Sequence, residues 1–150
     1  MSLIRGLAIS RSYRRLIYGV VTLLATTGLG WMVLSFLLDP EDFSDPLRLW
    51  RHRLLIVHGY TAYLLVWFVG SLFPQHQWGG WKARRNRISG FLLSTVILVL
   101  GMSGLMLYYP PQDSWREWVS GVHQILGGCL VLMLPLHIWF GRKRRYLNNT

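Results

Sequence analysis

Four long stretches of apolar residues, separated by short polar segments, dominate the hydrophobic pattern of this chain. They cover residues 16–38, 54–73, 88–109 and 118–140. A helix of about 20 residues crosses a hydrocarbon core of about 30 Å, so each stretch is long enough to span a bilayer. The pattern predicts an all-α fold, a single-domain four-helix bundle embedded in the membrane and in contact with its lipid.

The segments that flank the apolar stretches carry further predictions. The first fifteen residues are predicted to form a short arm in the lipid headgroup region, retained in the protein because no cleavage pattern follows the next apolar stretch. Residues 47–50 are predicted to form a short helical turn on the membrane surface. Pro74 is predicted to end the second helix and to leave residues 75–81 as a loop.

The distribution of charge predicts the orientation in the membrane. All six acidic residues lie in the loops after the first and third stretches, whereas most of the sixteen Lys and Arg residues lie before the first stretch, between the second and third, and after the fourth. Short basic segments stay on the cytoplasmic side, so both termini and the middle loop are predicted to be cytoplasmic. The net charge of +10 is thereby explained without a nucleic-acid partner, which is not expected.

Two histidines lie inside the fourth stretch. His123 and His137 are fourteen residues apart, which places them on one face of a helix and about 21 Å apart along its axis. Pro135 is predicted to bend the helix just before the second of them. Ionisable side chains at this depth usually mark function, and two imidazoles on one face suit two stacked haem irons. Each iron then needs a second axial ligand from another helix.

The two halves of the sequence are weakly alike. Thr27-Gly28-Leu29 resembles Ser103-Gly104-Leu105. Each segment is followed by an acidic loop and then by a helix with a histidine and a small residue four positions later, His58 with Ala62 and His123 with Gly127. A parallel repeat would place both histidines at equal depth, as axial ligands of an outer haem b, with the small residues giving room for the macrocycle.

The repeat fails on the inner side, because the second helix has no histidine at the position that matches His137. The remaining candidate for a ligand opposite His137 is His76, in the polar segment after the second helix. Lys82 and Arg84 would then lie where the haem propionates emerge. The alternative is a protein with a single haem, in which His137 donates a hydrogen bond to a backbone carbonyl freed by Pro135.

Cysteine content and intramembrane charge exclude several classes of protein. Cys129 is the single cysteine, so the chain forms no internal disulfide, and without a CxxCH motif any haem is held non-covalently. None of the four stretches contains Asp or Glu, which argues against a proton-relay pump.

With these residues identified, the chain from residue 16 to residue 140 resembles the small four-helix dihaem b-type cytochromes of bacterial membranes. That group is similar to the cytochrome b subunits of formate dehydrogenase and hydrogenase, and to bacterial four-helix membrane proteins of unknown function. His123 and His137 match the group's two histidines on one helix, and His58 matches its second-helix ligand. The first helix departs from the group because it has no histidine. The resemblance implies a multi-pass protein of the bacterial inner membrane that transfers electrons between the quinone pool and a partner redox protein.

Two other classes remain open. One is a haem-free membrane anchor or assembly subunit, in which the histidines and glycines only pack helices. The other is a stand-alone quinol or superoxide oxidoreductase with a substrate pocket, and a bound quinone, near Arg51, His52 or Arg53. The optical bands of low-spin haem b separate the haem-free class from the others.

Overall fold

The computed structural model describes residues 10–82, 84, 86–109 and 112–147, and all regular elements in these ranges are helical. The helices are α1 (Arg11–Leu37), α2 (Leu47–Leu72), α3 (Trp78–Lys82), α4 (Arg87–Tyr108) and α5 (Arg116–Leu147), with a π-helical turn at Phe73–Gln77 and a 3-10 turn at Asp113–Trp115. All except α3 and the two turns are long and apolar enough to cross a membrane. Large apolar side chains cover their exposed surfaces, as lipid contact requires. The prediction of an all-α membrane protein with four spanning helices, compatible with a four-helix bundle, is confirmed.

The helix α1 begins earlier than its apolar stretch. Ser10 caps the helix, because its hydroxyl oxygen accepts a hydrogen bond from the backbone N–H of Tyr13 at 3.2 Å. Residues 11–15 of the predicted interfacial arm therefore belong to α1. Residues 1–9 of that arm lie outside the described residues.

The helix α2 also begins earlier than predicted, at Leu47 instead of Leu54. The carboxylate of Asp45 accepts a hydrogen bond from the backbone N–H of Leu47 at 2.8 Å, which satisfies one of the free donors at a helix start. Arg48 then donates hydrogen bonds to the carbonyls of the preceding loop, at 2.8 Å for Pro40. The predicted separate turn at residues 47–50 is consequently wrong, since these residues form the first turn of α2 itself.

The helix α2 ends at Leu72, close to the end predicted from Pro74, but the chain after it continues in helical turns. Pro74 lies at the start of the π-helical turn, where the backbone N–H of Trp78 donates to the carbonyl of Phe73, and α3 follows directly. A π turn accommodates the missing N–H of proline by widening the helix locally, as π-bulges do inside α-helices. The segment predicted as a loop, residues 75–81, is therefore helical, and it places His76 on a helical turn.

The described chain divides into two compact units. Residues 10–69 are called here the N-terminal hairpin. Its helices α1 and α2 run antiparallel, because Tyr13 near the start of α1 contacts Phe68 near the end of α2, while Trp31 near the end of α1 lies under Arg51 at the start of α2. The end that carries the loop is called its acidic end, and the other its basic end.

Residues 70–147 are called the C-terminal hairpin, in which α4 and α5 pack closely and antiparallel. Its acidic end is the end with the loop between α4 and α5, and its basic end is the opposite one. At its basic end Asn86 precedes α4 in the left-handed conformation, with φ of 46°. A Cβ atom on Gly141 of α5 would lie 3.2 Å from the Nδ2 atom of Asn86, so a larger residue there would require the Asn86 side chain to shift. Pro135 lies inside α5, which continues to Leu147; the bend expected there stays a prediction.

Candidate haem-ligand sites

In the N-terminal hairpin, His58 of α2 is held against α1. Its Nδ1 atom lies 3.2 Å from the hydroxyl oxygen of Thr27 and 3.1 Å from the carbonyl oxygen of Leu24. Thr27 is buried, although α1 faces lipid over most of its surface. The adjacent Gly28 gives the ring its space, because a Cβ atom there would lie 3.1 Å from Cε1 of His58.

In the C-terminal hairpin, His123 of α5 makes the same contacts with α4. Its Nδ1 atom lies 2.8 Å from the hydroxyl oxygen of Ser103, which is buried. A Cβ atom on Gly104, the next residue, would lie 3.6 Å from Cε1 of the ring. Both contacts lie toward the acidic end of the hairpin.

His137 repeats these contacts toward the basic end of the same hairpin. Its Nδ1 atom lies 3.0 Å from the hydroxyl oxygen of Ser89. A Cβ atom on Gly90 would lie 3.8 Å from Cε1 of His137. The three spanning-helix histidines predicted as ligands therefore share one local design, a hydroxyl at Nδ1 and a glycine beside Cε1.

Sequence reasoning missed the role of these Ser/Thr-Gly pairs. Thr27-Gly28 and Ser103-Gly104 served there only to mark the repeat, and Ser89-Gly90 was not singled out. The sequence did contain a signal for these pairs. In two antiparallel helices, residues separated by the same number of positions on each helix can lie opposite one another. Ser89 precedes Ser103 by fourteen residues, and His137 follows His123 by fourteen residues. That spacing alone pairs each hydroxyl with its imidazole.

The fourth predicted ligand, His76, lies close to His137 within the C-terminal hairpin. Their ring centroids are 6.3 Å apart and the ring planes are inclined by 79°. Two imidazoles on one first-row metal ion, with metal–nitrogen bonds of about 2 Å, have ring centroids about 6 Å apart. The separation thus suits a shared metal ion, and it also suits an edge-to-face contact between the rings. The assignment of His76 as a ligand stays a prediction.

The remaining predicted site residues differ in what surrounds them. Gly127 is half-buried, and a Cβ atom there would meet nothing within 4 Å, so the helix surface beside it is open. Ala62 is half-buried on α2. Lys82 is exposed, and its ammonium lies 5.4 Å from the ring centre of Trp78. Arg84 is exposed, in the left-handed conformation with φ of 53°. These two cations are near in sequence to His76, and their contact with propionates stays a prediction.

The sequence implies haem b, and the residues of the structure fit that group in two respects. The donors are imidazoles at membrane depth, which bind haem iron. The glycines beside the rings give the imidazoles their space, and the helix surface beside Gly127 is open. Among the described residues, no three His, Cys, Asp or Glu side chains form a cluster, but an iron bound by two imidazoles and a porphyrin needs no such cluster.

The surface residues suggested for a substrate pocket are engaged with aromatic rings. Arg51 lies over Trp31 at 5.8 Å, and Arg53 lies over Trp50 at 5.1 Å. His52 is exposed. A more polar surface occurs at the acidic end of the C-terminal hairpin, where an open cleft is lined by Asp113, Arg116, Glu117, Ser120, Gly121 and Gln124.

Comparison with known proteins gave no match to a protein-family model, to a curated protein or to a solved structure.

Proposed function

We propose that the protein is a membrane-embedded b-type cytochrome that passes electrons between the quinone pool and a partner redox protein. The observation that supports this most is the repeated arrangement of intramembrane histidine, hydroxyl and glycine at His58, His123 and His137. Polar groups are costly at membrane depth, and a packing role alone would not need an imidazole three times. A bound haem b would supply a one-electron ferric/ferrous couple.

The proposed ligands form an outer and an inner pair. His58 and His123 are assigned to the outer haem on the basis of the sequence repeat, since each lies toward the acidic end of its hairpin. His137 and His76 are assigned to the inner haem, and their ring separation of 6.3 Å supports this pairing. His58, His123 and His137 would supply imidazoles from apolar spanning helices, which would exclude water from a bound metal.

We place the chain in the bacterial inner membrane with both termini in the cytoplasm. The four spanning helices make it a multi-pass membrane protein, and the basic segments support the orientation. A reporter that is active only in the periplasm, fused after Thr150, is expected to be inactive. An active fusion would overturn the orientation.

We assign a quinone headgroup to the open polar surface at the acidic end of the C-terminal hairpin. Its lining includes the carboxylate of Glu117 and the amide of Gln124, and Gln124 directly follows His123 in α5. The Gln124 amide donates to the hydroxyl of Ser120 at 2.9 Å. Such groups can accept and donate the hydrogen bonds that a quinol needs, next to the residue proposed to bind the outer haem.

Haem content of the purified protein tests the proposal. The parent is expected to show the sharp reduced bands of low-spin haem b and about two haems per polypeptide. His58→Ala and His123→Ala should each remove the outer haem, and His76→Ala and His137→Ala the inner one, because an iron that loses an axial imidazole is held less tightly.

His52→Ala is the matched control, since His52 is an exposed histidine on the same helix as His58. Its haem content should equal that of the parent. A parent without haem bands would refute the proposal and favour the haem-free anchor. A parent with one haem, unaffected by His76→Ala and His137→Ala, would limit it to the outer site.

A further inference from the structure

The hydroxyl groups beside the three histidines each have an acceptor for their own proton. The Thr27 hydroxyl lies 2.7 Å from the carbonyl oxygen of Leu23, and the Ser103 hydroxyl lies 3.1 Å from that of Leu100. The Ser89 hydroxyl lies 3.3 Å from the carbonyl of Asn86. A carbonyl oxygen only accepts hydrogen bonds, so a hydroxyl proton directed to this carbonyl leaves the hydroxyl oxygen as an acceptor for the Nδ1–H group of the histidine. Each hydroxyl oxygen is then the acceptor in its contact with histidine.

The proton of each imidazole follows from this arrangement. If the hydroxyl oxygen accepts, Nδ1 of the histidine must donate, and a neutral ring with Nδ1–H carries its lone pair on Nε2. His58 gives an independent argument, because its Nδ1 atom also lies 3.1 Å from the carbonyl of Leu24, which cannot donate. At His58 the Leu24 carbonyl thus leaves Nε2 as the nitrogen with a lone pair, and the same arrangement at His123 and His137 would select the same atom.

We propose that Thr27, Ser89 and Ser103 are positioning residues that select Nε2 as the iron-binding nitrogen and tune the reduction potentials of the haems. This inference rests on the proposed function. A hydroxyl that already donates to a carbonyl is a stronger acceptor, because hydrogen bonds in a chain polarise one another. An acceptor at Nδ1–H raises the basicity of the imidazole and so its donation to the metal. Stronger donation favours ferric iron and lowers the potential.

The geometry predicts that loss of the hydroxyl group shifts the midpoint potential by a different amount at each position. Removing the hydroxyl of Ser103 deprives the Nδ1–H of His123 of an acceptor at 2.8 Å. Removing that of Thr27 leaves His58 the Leu24 carbonyl, so the effect there should be smaller. Since Thr27 and Ser103 serve the proposed outer ligands, both changes should shift the same haem. Loss of the Ser89 hydroxyl should shift the other haem.

The test is a potentiometric titration of the full-length, haem-loaded protein. We expect Ser103→Ala and, less strongly, Thr27→Val to raise one midpoint potential, and Ser89→Ala to raise the second. A tenfold change in the ferrous-to-ferric ratio at fixed ambient potential corresponds to 59 mV for one electron, which such a titration resolves easily. Electron paramagnetic resonance of the ferric state should show altered low-spin signals for the same haem in each variant.

Two matched controls separate these effects from the loss of any hydroxyl in the helices. Thr26 adjoins Thr27, and its hydroxyl also donates to the Leu23 carbonyl, at 3.1 Å. Ser94 lies on α4 between Ser89 and Ser103, and its hydroxyl donates to the Gly90 carbonyl at 2.9 Å. Thr26→Val and Ser94→Ala should keep both parental potentials. Thr27→Ser and Ser103→Thr retain the hydroxyl and should keep them as well.

The outcomes distinguish this inference from the proposed function. A parent without haem refutes both. A haem-containing parent whose potentials and low-spin signals do not change in Thr27→Val, Ser89→Ala and Ser103→Ala overturns the positioning role alone. Loss of haem from Ser103→Ala, with normal haem in Ser103→Thr and Ser94→Ala, supports the role, because the hydroxyl is then needed for ligation itself.

Discussion

The N-terminal hairpin holds one histidine between a hydroxyl and a glycine, whereas the C-terminal hairpin holds two. In the C-terminal hairpin the second set lies fourteen residues from the first on both helices. In the N-terminal hairpin, Tyr13 stands fourteen residues before Thr27, where α4 has Ser89 before Ser103. The Tyr13 hydroxyl donates to the Phe68 carbonyl at 3.3 Å, and the two rings meet edge to face at 5.4 Å.

The difference teaches that the two ends of the hairpins serve different purposes. At the acidic end, each hairpin has an imidazole with a hydroxyl group at Nδ1 and a glycine beside Cε1. At the basic end the N-terminal hairpin is closed by an aromatic contact, and the C-terminal hairpin contains both proposed ligands of the inner haem, His76 and His137. The proposed inner site therefore takes both of its ligands from the C-terminal hairpin.

The largest expected difference between the hairpins is in the effect on stability and haem content of substituting the glycines beside the histidines. Gly28→Ala would place a Cβ atom 3.1 Å from the His58 ring, whereas Gly104→Ala would place one at 3.6 Å from the His123 ring, an ordinary contact. We expect Gly28→Ala to cost about 1–3 kcal/mol through overpacking and to lower outer-haem content. Gly104→Ala should retain haem and gain slightly from the better helix propensity of alanine.

Haem per polypeptide and thermal unfolding of both variants measure this contrast. Gly128→Ala is the control, because a Cβ atom there would meet nothing within 4 Å. Equal haem content in Gly28→Ala and Gly104→Ala would show that the closer approach in the N-terminal hairpin has no consequence for the ligand.

The aromatic contact at the basic end of the N-terminal hairpin gives a smaller effect. Tyr13→Phe removes the hydrogen bond to the Phe68 carbonyl and keeps the ring contact, so the expected loss of stability is about 0.5–1.5 kcal/mol. Both midpoint potentials should stay at the parental values, unlike those of Ser89→Ala. Thermal unfolding measures the change in stability, and a redox titration measures the midpoint potentials. Tyr18→Phe, at an exposed tyrosine of α1, is the control. A shifted potential in Tyr13→Phe would mean that this residue also acts on a haem.

The smallest effect is expected in the loop of the N-terminal hairpin. The Ser44 hydroxyl and then its backbone N–H, at 2.6 and 2.8 Å, hold the pKa of the Asp42 carboxyl below its ordinary value. The lowered pKa stabilises the loop at neutral pH, and this contribution is lost as the pH falls through the pKa of the folded state. Ser44→Ala should raise the pKa of Asp42 toward its ordinary value.

A carbon-13 NMR titration of the Asp42 carboxyl would measure that change. Unfolding at neutral pH and haem content should be the same as in the parent, because Asp42 is fully exposed. An unchanged pKa would show that the contacts to Ser44 do not persist in solution.

Sequence patterns predicted the spanning helices well but not their ends. Length and the absence of charge define a spanning segment, whatever the neighbouring helices do. The start of α2 at Leu47 depends instead on local contacts from Asp45 and Arg48, and Pro74 was accommodated by a π turn that hydropathy does not reveal.

The candidate site was also predicted only in part: the histidines were identified from the sequence, but their hydroxyl and glycine neighbours were not. Histidines stand out in an apolar stretch because their chemistry is unusual there, but Ser89 and Gly90 resemble ordinary small packing residues. Which of these small residues face a ring depends on the rotation of α4 about its axis, which composition does not specify. The role of Gly127 in giving room to the macrocycle stays a prediction, whereas the contacts of Gly28, Gly90 and Gly104 with the imidazoles were not predicted.

The length of α4 has a consequence for the membrane itself. With 22 residues it is about 33 Å long, close to the thickness of an average hydrocarbon core, while α5 with 32 residues is about 48 Å long. The longer helix adapts to a thicker bilayer by tilting less, but α4 has no residues to spare. Because Ser89 lies in the first turn of α4, its contact with His137 is at one of the two helix ends on which hydrophobic mismatch acts. Lipid chain length is thus a physical variable to which the basic end of the C-terminal hairpin is sensitive.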